Sequence, residues 1–106
     1  MRNILESLPD ASDAEVFTQL LARPGVRIER IVSQGQVTPE DAPYDQPHDE
    51  WVLLLGGGAR LWLEGEGERT MAPGDALLIA AHLRHRVTWT SAEPPTVWLA
   101  IHLEEQ

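Results

Sequence analysis

Cysteine and lysine are missing from this chain of 106 residues, and each absence excludes a kind of chemistry. Without cysteine there is no disulfide, no thiolate metal ligand and no thiol nucleophile, and a cytoplasmic protein is the natural expectation. All eight basic residues are arginines, they form no basic run, and the formal net charge is −9. Because this surface would repel a phosphate backbone, we expect no nucleic-acid partner.

Long apolar runs are absent as well. No stretch reaches the ~18 consecutive apolar residues that a membrane helix needs, and the start, MRNILESLPD, lacks the apolar segment of a secretory signal. We therefore expect no membrane partner. What the chain does have is 42% hydrophobic residues in a length typical of one domain. We expect one structural domain made of an N-terminal arm with a short helix over 1–25 and a barrel over 26–106.

The segment SDAEVFTQLLARPG has a helical pattern. Ser12 and Glu15 have the spacing of a capping box, and the dipeptide Pro24-Gly25 is a stop signal. Apolar residues recur at helical spacing between these signals: Val16, Phe17, Leu20, Leu21. The sequence therefore predicts a short amphipathic helix over 12–22 that packs on the outside of the rest of the domain.

The remainder of the chain is typical of strands and turns. Seven short runs of strand-favouring residues are separated by segments that contain glycine, proline or other strand-breaking residues. These runs are VRIERIV (26–32), EWVLLL (50–55), ARLWLE (59–64), ERTMA (68–72), ALLIA (76–80), RVTWT (86–90) and TVWLAIHL (96–103). This spacing predicts an all-β fold, an antiparallel sandwich or a small barrel. Since EWVLLL and TVWLAIHL are apolar on both faces, we expect a second subunit to cover one face, giving a homodimer.

Two stretches have the spacing of known sequence motifs. The first is Glu50-WVLLLG-Gly57, and the second is Gly74-DALLIAAHLR-His85-RVT-Trp89. Together with the flanking segments, they resemble the motifs of the cupin superfamily, and the chain is similar to a group of small single-domain cupins of the conserved-barrel type. The resemblance implies a single jelly-roll β-barrel with a pocket inside it.

The resemblance also implies positions for metal ligands. In metal-binding cupins the first motif supplies two histidines and a glutamate, and the second motif supplies a third histidine. Here Glu50 and His85 stand at two of those positions, while Tyr44 and Gln46 stand where the first-motif histidines would be. The second motif departs from the family pattern at three places: Ala80 for proline, His82 for glycine and Trp89 for asparagine.

The residues themselves offer further donors. Alternate residues of an extended segment share a face, so Gln46, His48 and Glu50 can converge. His82 and His85 bracket a turn, and if both point inward they form a two-histidine-one-carboxylate set with Glu50. The sequence thus predicts a divalent metal (Zn, Fe, Mn or Ni) held by Glu50, His85, His82 and Gln46, with His48 as an additional candidate. The alternative is that the histidines are turn and strand-start residues bonded to backbone.

Aromatic and polar side chains predict the lining of a pocket for an organic ligand. These residues are Tyr44, Trp62, Trp89, Trp98 and His102. Tryptophans are equally typical of a packed barrel core, so both interpretations stay open. Three functions are compatible with this pattern: a small cupin that binds a divalent metal, a small molecule or both; a metal-dependent enzyme of the oxygenase or isomerase type acting on a small molecule; or a non-catalytic structural homodimer without metal.

Overall fold

Strands are the only regular elements in residues 1–104, the part of the chain that the computed structural model describes. Their bounds are β1 Val16–Arg23, β2 Val26–Ser33, β3 Asp49–Gly56, β4 Ala59–Leu63, β5 Gly67–Met71, β6 Ala76–Ile79, β7 His85–Thr90 and β8 Thr96–Leu103. The all-β prediction is confirmed, and each of the seven predicted runs contributes one strand. No helix capable of spanning a membrane occurs in residues 1–104.

The strands form two antiparallel sheets that pack face to face. The larger sheet has the order β1-β2-β8-β3-β6, and the smaller one has the order β5-β4-β7. Alternation along β3 shows how the core is built, since Val52 and Leu54 are buried while Trp51 and Leu53 beside them are only partly buried. Side chains of this kind each contribute roughly 1.5–3 kcal/mol when they are fully removed from water.

The predicted N-terminal helix is wrong, because the segment is strand β1. It pairs along its length with β2, and the register shifts between Gln19 and Leu21. A bulge of this kind adds one residue to the strand and interrupts the two-residue alternation of side chains. The apolar residues on either side of it therefore imitate helical spacing. Glu15 caps no helix, and its carboxylate instead accepts a hydrogen bond of 2.7 Å from the Ser33 hydroxyl.

The N-terminal arm is attached by hydrogen bonds to the segment that follows β2. Ala11 is fully buried, its N–H donates to Gln34 Oε1, and its carbonyl accepts from Gln36 Nε2. The boundary predicted at residue 25 lies in the turn between β1 and β2, so the two predicted parts share one sheet. Residues 105 and 106 of the predicted barrel lie outside the described residues.

Register across the large sheet places polar side chains from three neighbouring strands on its inner face. In β8, His102 is paired with Arg27 of β2 on one side and with Glu50 of β3 on the other. Glu29 lies two residues after Arg27 and so points to the same face. This face, between the two sheets, is where the cavity of the protein opens.

Candidate functional site: a polar pocket between the sheets

A cavity of about 170 Å³ lies between the two sheets. One part of its wall is polar and consists of Glu15, Glu29, Tyr44, Gln46, Glu50, His85 and His102. The other part is apolar and consists of Phe17, Ile31, Val52, Leu61, Ile79, Val87 and Trp98. An apolar wall with a few convergent polar groups is the usual construction of a small-molecule site.

Six of the residues singled out in the sequence line this pocket. They are Tyr44, Gln46, Glu50, His85, Trp98 and His102. The structure does not bring His48, Trp62, His82 or Trp89 into the lining. Sequence reasoning missed Glu15 and Phe17, which it assigned to a helix, and Glu29. The signal for Glu29 was a carboxylate in the middle of the strand VRIERIV, on the same face as Ile31.

Glu50 is the buried carboxyl group at the start of β3. It is 7% exposed, and its Oε1 accepts a hydrogen bond of 2.9 Å from Gln46 Nε2. Burial, aided by the negative charge of Glu29 and opposed by the positive charge of Arg27, raises the pKa of Glu50 to about 7. Near neutral pH, both its protonated and its ionised forms are therefore populated.

Gln46 complements both forms of Glu50. Its side-chain amide donates to the ionised carboxylate, and after a flip of the amide its oxygen can accept from the protonated acid. In the arrangement observed, Gln46 Oε1 is buried and has no hydrogen-bond partner. A buried acceptor without a partner costs about 1–3 kcal/mol, so a ligand that donates a hydrogen bond to Gln46 Oε1 removes part of this cost.

His85 begins β7 and is 5% exposed. Its Nδ1 lies 2.9 Å from the carbonyl of Leu83, and because a carbonyl only accepts, Nδ1 carries the proton and Nε2 holds a lone pair. Burial lowers the pKa of His85, which favours the neutral ring at pH 7. The ring stacks on Tyr44 with centroids 5.3 Å apart. Burial, with the charges of Glu15 and Glu50, raises the pKa of the Tyr44 phenol.

His102 is the centre of a hydrogen-bonded chain. Its Nε2 lies 2.9 Å from Glu29 Oε1, and its Nδ1 lies 2.8 Å from His48 Nε2. Burial lowers the pKa of His102, against the opposing effect of the hydrogen bond to Glu29. Glu29 Oε2 is also 3.4 Å from Arg27 Nη1. His48 does not line the pocket, but it is hydrogen-bonded to His102, which does.

His82 lies on the surface, away from the pocket. Its φ of 64° is in the left-handed region, which explains why the family pattern has glycine there. The side chain is 70% exposed, and its Nδ1 lies 2.9 Å from Asp45 Oδ1. The motif glycine Gly57 also has a positive φ, and a Cβ there would lie 2.6 Å from the carbonyl oxygen of Pro95.

Trp62 and Trp89 are likewise not pocket residues. Trp62 lies beneath the guanidinium of Arg86, 4.6 Å from its ring centroid, and the centroid of Trp89 is 5.6 Å from the guanidinium of Arg60. Trp89 is an exposed side chain of β7. Both tryptophans therefore make cation–π contacts on the small sheet.

The pocket keeps Glu50, His85 and Gln46 of the ligand set that the sequence predicts for a divalent metal, but not His82 or His48. Within residues 1–104, no three histidine, aspartate or glutamate side chains are grouped so as to hold one. Glu50 and His85 stand at two family ligand positions, but Tyr44 and Gln46 contribute a phenol and an amide in place of two imidazoles. Both ring nitrogens of His102 are already hydrogen-bonded. The pocket residues must therefore be judged by their own hydrogen-bonding and acid–base chemistry.

Comparisons with solved structures support this fold. A protein of Ralstonia eutropha JMP134 described as a "putative mannose-6-phosphate isomerase" is 46% identical, with a TM-score of 0.92 over 98% of this chain and 97% of that chain. A cupin superfamily protein of Desulfitobacterium hafniense DCB-2 is 18% identical, with a TM-score of 0.76 over 92% and 84% of the two chains. KdgF from a Halomonas species is 19% identical, with a TM-score of 0.75 over 92% and 87%. The last two show the fold alone.

The sequence itself matches one family model. Among curated proteins none matches the chain. The model of the cupin domain family, however, matches residues 30–102, which include every strand from β3 to β7, part of β2 and nearly all of β8. The chain therefore belongs to the cupin domain family.

Proposed function

We propose that this cupin binds a small, uncharged, polyhydroxylated molecule in the pocket between its sheets. The observation that carries the proposal is the set of unused hydrogen-bonding atoms on the pocket wall. Gln46 Oε1 has no partner, and His85 Nε2 keeps a lone pair. Glu50 presents a carboxyl group that both donates and accepts near neutral pH. Hydroxyl groups also donate and accept, so they satisfy all three.

Charge argues against an anionic ligand. Neither arginine nor lysine is found among the residues that line the pocket in the described part of the chain, while three glutamates are. A phosphate or carboxylate would meet a repulsive field there. The attraction for cations is limited as well, because Arg27 pairs with Glu29 and Glu50 has a pKa of about 7, which leaves Glu15, bonded to the Ser33 hydroxyl, as the remaining carboxylate of the lining. A neutral ligand suits this balance best.

A second candidate function is acid–base isomerisation of such a ligand without a metal. Isomerisation of an aldose to a ketose moves a proton from C2 to C1 and another from the C2 hydroxyl to the C1 oxygen, which requires a group that exchanges protons near neutral pH. Glu50 has that property, and the neighbouring Glu29 is held by a histidine and an arginine instead. The R. eutropha protein, which is 46% identical, bears the name of a "putative mannose-6-phosphate isomerase", whose substrate differs from the uncharged ligand proposed here by its phosphate group.

Binding can be tested with three probes added to ¹⁵N-labelled protein. We expect mannose to shift the amide signals of β3 and β7, mannose 6-phosphate to bind more weakly, and methylammonium to leave them unchanged. Glu50→Gln should weaken mannose binding, while Glu64→Gln, a change at an exposed ion pair with Arg84, should not. Preferential binding of the phosphate or of the cation would contradict the proposal, and so would the absence of any shift with mannose.

Isomerisation has a separate readout. In D₂O, proton transfer at C2 of mannose exchanges that hydrogen for deuterium whenever the proton on the base equilibrates with solvent. We expect loss of the C2–H signal of mannose with the wild-type protein and none with Glu50→Gln. Mannose that binds but keeps its C2–H signal would leave the protein a binding module and would rule out isomerisation of mannose.

We also propose that the chain forms a homodimer through the outer face of the large sheet. Apolar residues lie side by side on this face. Trp51 of β3 is paired with Leu78 of β6 on one side and with Ile101 of β8 on the other. Ile101 is paired in turn with Ile28 of β2. Leu78 is 53% exposed. Sedimentation equilibrium at micromolar concentration should give twice the chain mass of 11.8 kDa, and Leu78→Asp should return it to the monomer. A wild-type protein of monomer mass would refute this proposal.

A further inference from the structure

We propose that His48, His102 and Glu29 form a proton relay that connects the pocket with solvent behind its polar wall. The three side chains are joined in series by hydrogen bonds of 2.8 Å and 2.9 Å. Glu29 and His102 line the pocket, whereas His48 lies outside the lining and is only half-buried. The relay rests on the proposed acid–base function, because the charge of Glu29, which the relay would change, acts on the proposed acid–base group Glu50.

The proton positions in the relay are fixed by what each partner can do. An ionised Glu29 only accepts, so His102 Nε2 carries a proton and donates it. A neutral His102 then has its lone pair on Nδ1, so His48 Nε2 donates to that atom. His48 Nδ1 is left with a lone pair at the outer end. All donors in the chain therefore point the same way, towards Glu29.

This orientation permits a balanced transfer of one proton. A hydronium ion gives a proton to His48 Nδ1 and leaves as water, the proton on His48 Nε2 moves to His102 Nδ1, and the proton on His102 Nε2 moves to Glu29 Oε1. Each ring gains a proton on one nitrogen and loses one from the other, so each changes tautomer and neither ends charged. The net result is one proton taken from solvent and one carboxylic acid formed in the pocket.

Two neighbouring groups, Arg27 and Glu50, determine what a proton on Glu29 can affect. Arg27 lies 3.4 Å from Glu29 Oε2 and 3.7 Å from Glu104, so it holds the end of Glu29 that the relay does not use. On the other side of His102, Glu50 of β3 is its partner in the register. The charge on Glu29 acts on Glu50, so a proton that arrives at Glu29 makes Glu50 easier to ionise.

The relay can be tested without any ligand, through the rate at which the His102 ring proton exchanges with solvent. We would measure this rate by ¹⁵N-edited NMR on protein labelled in its histidine rings. In His48→Gln, the amide nitrogen can still donate to His102 Nδ1, but no second nitrogen remains to take a proton from solvent. We expect His102 exchange to slow by at least about tenfold in this variant. The control His82→Gln makes the same chemical change at an exposed site and should leave the rate unchanged.

Equal His102 exchange rates in the wild-type protein and His48→Gln would overturn the relay, since His48 would then be only a structural donor. His48→Ala shows whether the hydrogen bond alone protects the ring, and faster exchange in this variant together with slower exchange in His48→Gln would support the relay. The outcome is independent of the sugar experiments. Slow exchange in His48→Gln with no mannose binding would refute the proposed function and leave the relay in place.

Discussion

The four histidines of this protein form two pairs, and sequence distance predicts the relation within neither. His82 and His85 are three residues apart, yet one side chain is 70% exposed and the other is buried in the pocket wall. His48 and His102 stand far apart in the sequence, yet their rings are joined by a hydrogen bond of 2.8 Å. In a β-sandwich, strand register decides which side chains meet, and spacing along the chain decides only which face each one takes.

The structural reasons for the two outcomes differ. His82 occupies a left-handed turn that directs it to solvent, and three residues later the chain has entered β7 with His85 facing inward. In the second pair, His102 is opposite Glu50 because β8 pairs with β3. His48 precedes Glu50 by two residues and so reaches the same side of the sheet. Substitutions within each pair should therefore have different effects.

The largest expected effect is a loss of stability when the pair formed by His48 and His102 is broken. Replacing His102 by Ala removes a buried ring and leaves Glu29 and His48 without their partner, so we expect a loss of about 3 kcal/mol in the free energy of unfolding. His82→Asn, which suits a left-handed backbone, should change it by less than about 0.5 kcal/mol. Urea denaturation of the three proteins measures both values. Similar losses in the two variants would contradict the distinction between the pairs.

Most of the strand pattern could be predicted because it depends on local alternation and on turn residues. The run TVWLAIHL became β8 with unchanged bounds, and EWVLLL became β3 with one more residue at each end. β1 could not be predicted in this way, because the bulge after Gln19 interrupts its alternation and its pairing with β2 is a tertiary contact. Ser12 and Glu15 then imitated a helix start that the rest of the sheet overrides.

Pocket residues could be predicted from the sequence where they occupy a motif position. They could not be predicted where only the alignment of neighbouring strands brings them into the pocket. Glu50 and His85 were found from the motif, and both line the pocket. Glu29 was missed because its meeting with His102 depends on how β2 aligns with β8. His82 was included because spacing alone does not reveal that its φ is positive. Polar residues predicted to lie on the inner face of paired strands are therefore candidate site residues, just as motif positions are.

The next effect concerns Glu50, the partner of His102 in the register. Its pKa is raised from 4.5 in the unfolded chain to about 7, so its contribution to stability is complete below pH 4.5 and is lost as the pH rises to about 7. At ~1.4 kcal/mol per pKa unit, reduced because remaining solvent contact screens part of the charge, the loss is about 2 kcal/mol. Relative to wild type, Glu50→Gln should therefore gain about 2 kcal/mol of stability between pH ~4 and pH ~8.

Urea denaturation at several pH values measures this gain, and Glu64→Gln provides the control. Glu64 is half exposed in a surface pair with Arg84, so this variant should follow the wild-type profile. A constant difference between Glu50→Gln and wild type over the same pH range would show that Glu50 titrates as an ordinary carboxyl group. The acid–base role proposed for it would then lose its basis.

The smallest expected effect is on metal binding by the pair that is close in sequence. Because His82 faces solvent, only Glu50 and His85 remain of the predicted two-histidine-one-carboxylate set, and two such donors are too few for a structural or catalytic site. Calorimetric titration of metal-stripped protein with zinc, iron(II), manganese and nickel should give no dissociation constant below about 1 mM. His85→Ala and His82→Asn should give the same result as wild type, and elemental analysis of the purified protein should find no stoichiometric metal. Micromolar binding that disappears in His85→Ala would contradict this expectation, and it would mean that Tyr44 or Gln46 completes a metal site at the positions where the family has histidines.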